Sequence, residues 1–253
     1  MDRTNDKIAA YLTHELRSPL QALRFALDLL NKDLDKGDCE KNKRILDAAR
    51  LATDRMRSHI DDILEMSRIQ MGQTNIVRQK CSPADLARET ASYFEAWAER
   101  KWIRLSVVVE DGCPDTAADP RRLVQALTNL ITNAIKYTPA GGTVEVRLRR
   151  GRREHAGFVL FCVRDTGCGI SAEAMPKIFR YFVQGGEAEG EEEGAGLGLP
   201  LARSFVEIQG GQMWVKSRVG EGSRFYFTLP FYLDPAQPRV PQGGVEREDL
   251  KRA

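Results

Sequence analysis

Residues 127–142 read LTNLITNAIKYTPAGG, and this stretch decides which fold the chain adopts. Its first part overlaps the second half of residues 120–137, whose pattern predicts a helix. Proline stands at the first position of that helix, where proline is tolerated. Asn129, Asn133 and Lys136 follow one another at i, i+4 and i+7, so they lie on one face of that helix. Amide oxygens suit Mg²⁺ and a lysine supplies positive charge for phosphate, although a solvated polar face has the same pattern.

The next distinctive motif toward the C-terminus is DTGCG at 165–169, which follows a predicted strand at 158–163. Two glycines one residue apart allow positive φ and a close approach of the backbone to a ligand. The Asp165 carboxylate, at the end of that strand, can accept a hydrogen bond from an amine such as adenine N6. A tight turn without a ligand is the alternative interpretation.

A glycine-rich string, GAGLGL at 194–199, opens a predicted helix at 198–208. Backbone N–H groups at a helix N-terminus attract phosphate. The chain contains no G-x-x-x-x-G-K-[ST] motif and the string does not follow a first βα strand, which excludes P-loop and dinucleotide-binding folds. Glutamate and glycine dominate residues 185–196, a composition typical of either a solvated loop or a flexible lid.

The chemically distinctive stretch of the N-terminal part is THELRSP at 13–19. His14 falls between Leu12 and Leu16, off the apolar stripe of a predicted helix, so its imidazole should face solvent. A zinc-binding HExxH motif is excluded because Ser18 stands at the position of its second histidine. A surface histidine without a function is the alternative interpretation of His14.

The apolar residues of the first 72 positions predict a pair of helices. They recur at helical spacing through 8–34 and 45–64, with a break at 36–38 and a stop at Gly72. Each helix carries one apolar stripe, and a lone hairpin cannot cover both. The pattern therefore predicts that two copies of the chain form a four-helix bundle.

From about Cys81 onward the pattern alternates between helices and strands. Helices are predicted at 83–100, 120–137, 172–179 and 198–208, and strands at 103–109, 144–148, 158–163, 212–217 and 223–229. This order predicts an α+β fold, in which a mixed sheet carries its helices on one face. The expected organisation is a hairpin at 1–72, a linker at 73–80, a second domain at 81–232 and a disordered tail at 233–253.

The composition excludes several classes of protein. The 253 residues include 38 Lys and Arg against 36 Asp and Glu, a formal net charge of +2, which predicts no nucleic-acid partner and no membrane contact by this segment. No stretch approaches the ~18 apolar residues of a transmembrane helix, and the N-terminus lacks an apolar signal core. We therefore expect a cytoplasmic location, either alone or as part of a longer membrane protein. Five scattered cysteines without a CxxC motif indicate neither a disulfide framework nor a zinc site.

Taken together and in this order, the motifs resemble those of the sensor histidine kinases of two-component systems. THELRSPLQAL is similar to the phospho-acceptor H box, LTNLITNAIKYTPAGG to the N box, DTGCGI to the G1 box and GAGLGLPLAR to the G2 box. MPKIFRYFVQG resembles the F box, and the resemblance covers residues 5–230. It implies a dimerisation and histidine-phosphotransfer hairpin followed by an α/β-sandwich ATP-binding domain, of the type shared with Hsp90-like ATPases.

The resemblance implies ATP-dependent autophosphorylation of His14, with Glu15 as its acid–base partner. The phosphoryl group would then pass to an aspartate in the receiver domain of a cognate response regulator. The resemblance also implies a homodimer, with ATP and Mg²⁺ bound. Ser18 stands where the family often has threonine, a position linked to dephosphorylation of the partner. Serine keeps the hydroxyl, so phosphatase activity stays an open expectation.

The resemblance assigns the phosphate end of the nucleotide site to the predicted helix at 120–137. Asn133 would coordinate Mg²⁺ with Asn129 nearby, Lys136 would reach phosphate, and Tyr137 would flank the nucleotide.

The resemblance places the adenine end and the lid further along the chain. Asp165 would read adenine, with Gly167 and Gly169 making room for it. The nucleotide-binding residues implied around the lid are Gly194, Gly196, Leu197, Gly198 and Leu199.

Some residues depart from the family pattern, and two other function classes are conceivable. Arg180-Tyr181 replaces the more usual Glu followed by Arg or Pro, and the acidic lid should disfavour the approach of triphosphate.

An ATP hydrolase or conformational clamp of the same fold would carry a water-activating Glu where this chain has Asn129, and an amide is a poor base. A dimeric scaffold that binds nucleotide without transfer is the third class, and the intact His14-Glu15 pair argues against it.

Overall fold

The structure is a computed structural model that describes residues 16–30, 39–183 and 196–234. The predicted hairpin break at 36–38, most of the glutamate-rich segment and the predicted tail from 235 onward lie outside these ranges. His14, Glu15 and Gly194 also lie outside them.

The N-terminal part is helical in both of its described ranges. Residues 16–30 are helical throughout and form α1, and Cys39–Gln70 form α2. Ala26 of α1 packs against Ile45 and Ala49 of α2. The predicted stop at Gly72 is confirmed: its φ is +65°, and the N–H of Gln73 donates to the carbonyl of Arg68 at 2.9 Å. This is a Schellman ending, in which glycine adopts the left-handed conformation that other residues avoid.

The second part is a mixed sheet with flanking helices. The helices are α3 (Pro83–Ser92), α4 (Glu95–Arg100), α5 (Pro120–Tyr137) and α6 (Gly198–Glu207). The strands are β1 (Gln79–Cys81), β2 (Arg104–Val109), β3 (Thr116–Ala118), β4 (Thr143–Arg150), β5 (Phe158–Asp165), β6 (Met213–Arg218) and β7 (Gly222–Pro230). The main sheet has the order β2-β4-β5-β7-β6, with β2 parallel to β4 and every other pair antiparallel. β1 and β3 form a separate antiparallel pair.

The core lies between the sheet and the layer formed by α3, α5 and α6. Val146, Phe161 and Phe227 point inward and are fully buried, and the rings of Phe161 and Phe227 stack with centroids 4.2 Å apart. Residues in between on the same strands, such as Arg147 and Tyr226, point to the opposite side of the sheet. The predicted α+β fold with helices on one face is confirmed.

Two of the predicted helices were wrong. The helix predicted at 83–100 is interrupted after Ser92, where the N–H of Phe94 donates to the carbonyl of Ala91 at 2.9 Å and closes a turn. This turn allows Phe94 to pack against the core immediately before a second, shorter helix. The helix predicted at 172–179 is a series of turns instead. Pro176, which has no N–H to donate, lies in the middle of that series.

The small sheet of β1 and β3 was not predicted, because strands of three residues are too short to show an alternating pattern. β1 begins inside the segment that the sequence indicated as a linker. Among the helices within the described ranges, none combines the length and the apolar character needed to cross a bilayer.

Asp119 joins three parts of the domain. Its side chain is buried (1% exposed) and caps α5, with Oδ1 accepting from the N–H of Arg121 at 3.0 Å. Its Oδ2 accepts from the N–H of Val77 at 3.1 Å, and its own N–H donates to Gln209 Oε1 at 2.7 Å. The Asp119 carboxylate therefore joins the segment before β1 to the start of α5, and the backbone N–H of the same residue joins them to Gln209, just after α6.

We expect Asp119→Ala to lower the free energy of unfolding by about 1–3 kcal/mol. The reason is that the helix cap is lost and the N–H of Val77 loses its acceptor. Asp119→Asn keeps one acceptor oxygen and should lose less, and Arg121→Ala, an exposed neighbour, should change little. Urea unfolding followed by tryptophan fluorescence measures the difference. An unchanged urea midpoint for Asp119→Ala would contradict this role.

Candidate active site

Asp165, the last residue of β5, is a buried residue of the candidate site. It is 5% exposed, and its Oδ1 accepts hydrogen bonds from the N–H of Gly167 at 2.9 Å and of Ser223 at 3.0 Å. Burial raises the pKa of this carboxyl, and the two backbone donors act in the opposite direction. Both bonds end on Oδ1, so Oδ2 is the oxygen that can accept from a ligand. Oδ1 of Asp165 therefore caps the turn, as the alternative interpretation expected, and Oδ2 is a second acceptor oxygen.

The turn that follows Asp165 is held by backbone on both sides. A Cβ on Gly167 would lie 2.3 Å from the Tyr137 carbonyl oxygen, and a Cβ on Gly169, whose φ is +73°, would lie 2.1 Å from the Arg218 carbonyl oxygen. The N–H of Cys168 donates to that same Tyr137 oxygen at 3.2 Å. The two glycines make room for the protein's own backbone, and in this way fix the turn against the end of α5.

The polar face of α5 borders the same region. Asn129, Asn133 and Lys136 are all partly buried, as expected for one face at the edge of the core. Asn129 Nδ2 donates to the carbonyl of Gly198 at 3.0 Å, which joins α5 to the first residue of α6 and leaves Asn129 Oδ1 as the acceptor atom. The Lys136 ammonium lies 5.2 Å from the centroid of the Tyr137 ring. Burial raises the pKa of the Tyr137 hydroxyl, and the nearby Cys168 adds to this effect.

The start of α6 borders the same region next to Asn129. Gly196 has a φ of +62°, and a Cβ on it would lie 2.9 Å from the carbonyl oxygen of Val183. The Leu197 side chain is fully buried, so only its backbone could contact a ligand. Leu199 packs against the main core. The structure thus brings together α5, the turn after β5 and the N-terminus of α6, while Ser18 lies exposed on α1.

Within the described ranges no cluster of three or more His, Cys, Asp or Glu side chains could hold a metal ion. The amide oxygens of Asn129 and Asn133 are of the kind that suits Mg²⁺, which also takes phosphate oxygens and water. These residues therefore fit a metal that arrives with a phosphorylated ligand.

The sequence did not reveal a contact between the hairpin and this region. Met66 of α2 is 0% exposed and packs against Leu197, Leu201 and Phe205. Next to it, Glu65 Oε1 lies 2.7 Å from Nη2 of Arg122, whose guanidinium is 4.9 Å from the centroid of the Phe205 ring. The end of α2 therefore shares a buried cluster with the residue between Gly196 and Gly198. No local signal could have predicted this cluster, because Met66 is more than 130 positions from Leu197, Leu201 and Phe205.

Two family models match the chain, in the order that the motifs indicated. Residues 4–72 match the His Kinase A (phospho-acceptor) domain, and residues 118–233 match the histidine kinase-, DNA gyrase B- and HSP90-like ATPase domain. The chain belongs to the sensor histidine kinases. Both matched segments of this kinase core agree with the resemblance that its motifs indicated.

Relatives of the kinase core are longer proteins. It is 33% identical over 229 residues to the adaptive-response sensory kinase SasA of Synechococcus sp. (strain JA-3-3Ab), covering 90% of this chain and 59% of that protein. It is 30% identical over 229 residues to the alginate biosynthesis sensor protein KinB of Pseudomonas aeruginosa, covering 90% of this chain and 37% of that one. The chain therefore spans less than two thirds of the length of these relatives.

Solved structures share the arrangement of both parts. Full-length ShkA in complex with AMPPNP matches with a TM-score of 0.66 at 30% identity, over 89% of this chain and 46% of that one. ThkA, solved in complex with the response regulator protein TrrA, matches in fold with a TM-score of 0.67 at 24% identity, over 89% of this chain and 61% of that one.

We expect Asp165→Asn to weaken ATP binding by ten- to a hundred-fold, and wild-type protein to reject GTP. The Asn oxygen can keep the two backbone hydrogen bonds, but its NH₂ then replaces the oxygen that accepts from the adenine amine. A hydrogen bond to a charged group contributes about 1.5–3 kcal/mol, which corresponds to that factor. GTP presents a carbonyl where ATP presents the amine.

Calorimetry with both nucleotides on wild type and variant measures these affinities. Ser223→Ala is the matched control, because it keeps the backbone N–H that donates to Asp165. Equal affinity of the wild type for GTP and ATP would refute adenine reading by Asp165. So would a variant that melts at a lower temperature with an unchanged preference between the two nucleotides.

Proposed function

We propose that this chain is the catalytic core of a protein-histidine kinase that phosphorylates its own His14 from ATP and passes the phosphoryl group to an aspartate of a response regulator. The observation that carries the proposal is the hydrogen bond from Asn129 Nδ2 to the Gly198 carbonyl. Hydrolases and clamps of the same fold need a water-activating carboxylate at this position. An amide held as a donor to α6 cannot act as a general base, so transfer to histidine is favoured over transfer to water.

The site residues have distinct tasks in this proposal. ATP, bound with Mg²⁺, supplies the γ-phosphoryl group. Asp165 holds the adenine, the amide oxygens of Asn133 and Asn129 would hold the metal when it is bound, and the Lys136 ammonium offsets phosphate charge. The AMPPNP bound by ShkA supports the choice of nucleotide.

The chemistry at the acceptor requires His14 and Glu15. One imidazole nitrogen of His14 attacks the γ-phosphorus in line, so that an N–P bond forms while the P–O bond to ADP breaks. Glu15 accepts a hydrogen bond from the other ring nitrogen, which fixes the tautomer and stabilises the developing imidazolium. The proton on that nitrogen stays shared with Glu15, and the phosphoryl group later passes to the carboxylate of an aspartate on the regulator.

The domain bounds and the homodimer are part of the proposal. We assign 1–72 to dimerisation and phosphotransfer, 73–80 to the linker, 81–232 to ATP binding and 233–253 to a tail. The hairpin supports a dimer because seven large apolar side chains of its described helices, α1 and α2, remain 42–65% exposed in a single chain. They are Leu20, Phe25, Leu27, Leu46, Leu51, Ile60 and Leu64. A second copy can cover them in a four-helix bundle.

We expect His14→Gln to bind ATP normally and to take no label from ATP labelled at its γ-phosphate. In wild type the label should be acid-labile and base-stable, as a phosphoramidate is. Autoradiography after acid and base treatment, beside ATP affinity by calorimetry, measures both properties. Labelling of His14→Gln at the wild-type level would show that another residue is the acceptor.

We expect Asn133→Ala to reduce autophosphorylation by orders of magnitude, because it removes an oxygen that holds the metal from a partly exposed face. The variant should keep its melting temperature and should still accept phosphate on His14 from a phosphorylated regulator. Thr132→Ala, the adjacent partly buried position, is the matched control and should label normally. Autophosphorylation of Asn133→Ala within a few-fold of wild type would exclude the metal role.

A further inference from the structure

The open face of the main sheet lies on the side away from the helices. Side chains of β4, β5, β7 and β6 that point there fall into rows, because the strands are in register. Arg164 lies opposite Arg224, and Arg224 lies opposite Lys216, which gives three cations on three neighbouring strands. We call these three residues the cation row, and all of them are exposed.

The cation row lacks compensating charge. Like charges directly opposite each other on neighbouring strands destabilise a sheet. Within residues 16–30, 39–183 and 196–234, none of the three forms an ion pair. Glu145, the carboxylate opposite Arg164 at the end of the row, is held by Arg147 through two hydrogen bonds of 3.0 and 3.2 Å. An anionic ligand along the row would remove this repulsion.

An aromatic row runs next to the cation row, two residues along each strand. Trp214 lies opposite Tyr226, and their rings stack with centroids 5.4 Å apart. His155 stacks on Trp214 from the turn between β4 and β5, with centroids 4.9 Å apart. We call Trp214, Tyr226 and His155 the aromatic row. It places flat rings about 7 Å from the charges, the distance that two residues span along a strand.

Two adjoining cavities cover these rows. The smaller, of about 360 Å³, is lined by Arg164, Arg224 and Tyr226, and the larger, of about 1260 Å³, by Trp214, His155 and Lys216. Small-molecule sites occupy roughly 300–1,000 Å³, so the smaller cavity alone accommodates a compact ligand.

The carboxylates around the face leave it positive. Glu154 lies 3.5 Å from His155, Glu207 is paired with Arg203 at 2.6 Å, and Glu110 lines the smaller cavity. The positive charges on the same face are the cation row and, beside it, Arg149, which lines both cavities.

We propose that this face binds a second nucleotide, with its base on the aromatic row and two or more phosphates on the cation row. Arginine forks match phosphate oxygens, and aromatic rings stack on any base. An acidic segment of a partner protein would satisfy the cations without using the rings, so the nucleotide fits both rows better. The site lies on the opposite side of the sheet from Asp165, whose inward neighbours face the helices.

Calorimetry with GTP on protein saturated with AMPPNP and Mg²⁺ tests the proposal. The adenine site is filled and selects against GTP, so one GTP per chain should bind at the open face. Arg224→Glu and Trp214→Ala should each weaken GTP by about tenfold or more, since the first reverses the central cation and the second removes the central ring, on which Tyr226 and His155 stack. Trp214→Phe keeps a ring and should restore most of the affinity, which separates loss of stacking from loss of fold.

Arg104→Glu is the matched control. It makes the same change of charge at an exposed arginine on β2, three strands from β7, and should leave GTP affinity unchanged. The test is independent of the proposed kinase activity, because Arg224→Glu should lose GTP while His14 still takes label from ATP.

Several results would overturn the second nucleotide site. They are the absence of GTP binding, displacement of AMPPNP by GTP, and GTP affinity that is unaffected by Arg224→Glu. Equal binding of inorganic tripolyphosphate, with no effect of Trp214→Ala, would show a site for anions without a base. Competition by polyglutamate at lower concentration than GTP would show a surface for acidic protein segments.

Discussion

The packing of α5 against the sheet sets the position of every described group in the candidate site. Seven side chains on one face of this helix are buried: Leu123, Ala126, Leu127, Leu130, Ile131, Ala134 and Ile135. Burying a Leu or Ile side chain contributes about 1.5–3 kcal/mol, so the rotation of the helix about its axis is strongly fixed. Asn129, Asn133 and Lys136 occupy the remaining face, so the packing of the helix keeps them on the side of the turn after β5.

Hydrogen bonds then fix the neighbouring segments relative to α5. The Tyr137 carbonyl at the end of α5 receives the N–H of Cys168, and Asn129 binds the first carbonyl of α6. Asp165 in turn receives the N–H of Ser223 from β7, a residue 58 positions later. The turn after β5 and the start of α6 are thus joined by hydrogen bonds to α5, and β7 is joined to Asp165, so that separate stretches of sequence meet at the candidate site.

The parts of the fold that were predicted correctly have strong local signals. Pro120 begins α5 and the apolar spacing continues to Tyr137, so both ends of that helix were readable from the sequence. The turns at 172–179 have apolar residues at helical spacing, yet Pro176 interrupts the hydrogen bonding that a helix needs. Local sequence patterns do not show which distant backbone N–H donates a hydrogen bond to Asp165.

The same limit explains what was found only in three dimensions. Met66 is one apolar residue among many on α2, and Arg224 is one arginine among many in a chain with a net charge of +2. Their importance comes from neighbours that the fold supplies: Leu197 in one case, and Arg164 with Lys216 in the other. Net charge describes the whole chain, whereas strand register concentrates like charges in one place.

The buried cluster around Met66 has a mechanical consequence. To move α2 away from α6, the molecule must expose Met66 and Leu197, together with parts of Leu201 and Phe205, to water. Each large apolar side chain that becomes fully exposed costs about 1.5–3 kcal/mol. Separation of the two helices is therefore a discrete event with an energy threshold. A pull or twist on the hairpin that falls below this threshold moves α2 and the start of α6 as one body, and a larger one releases them from each other.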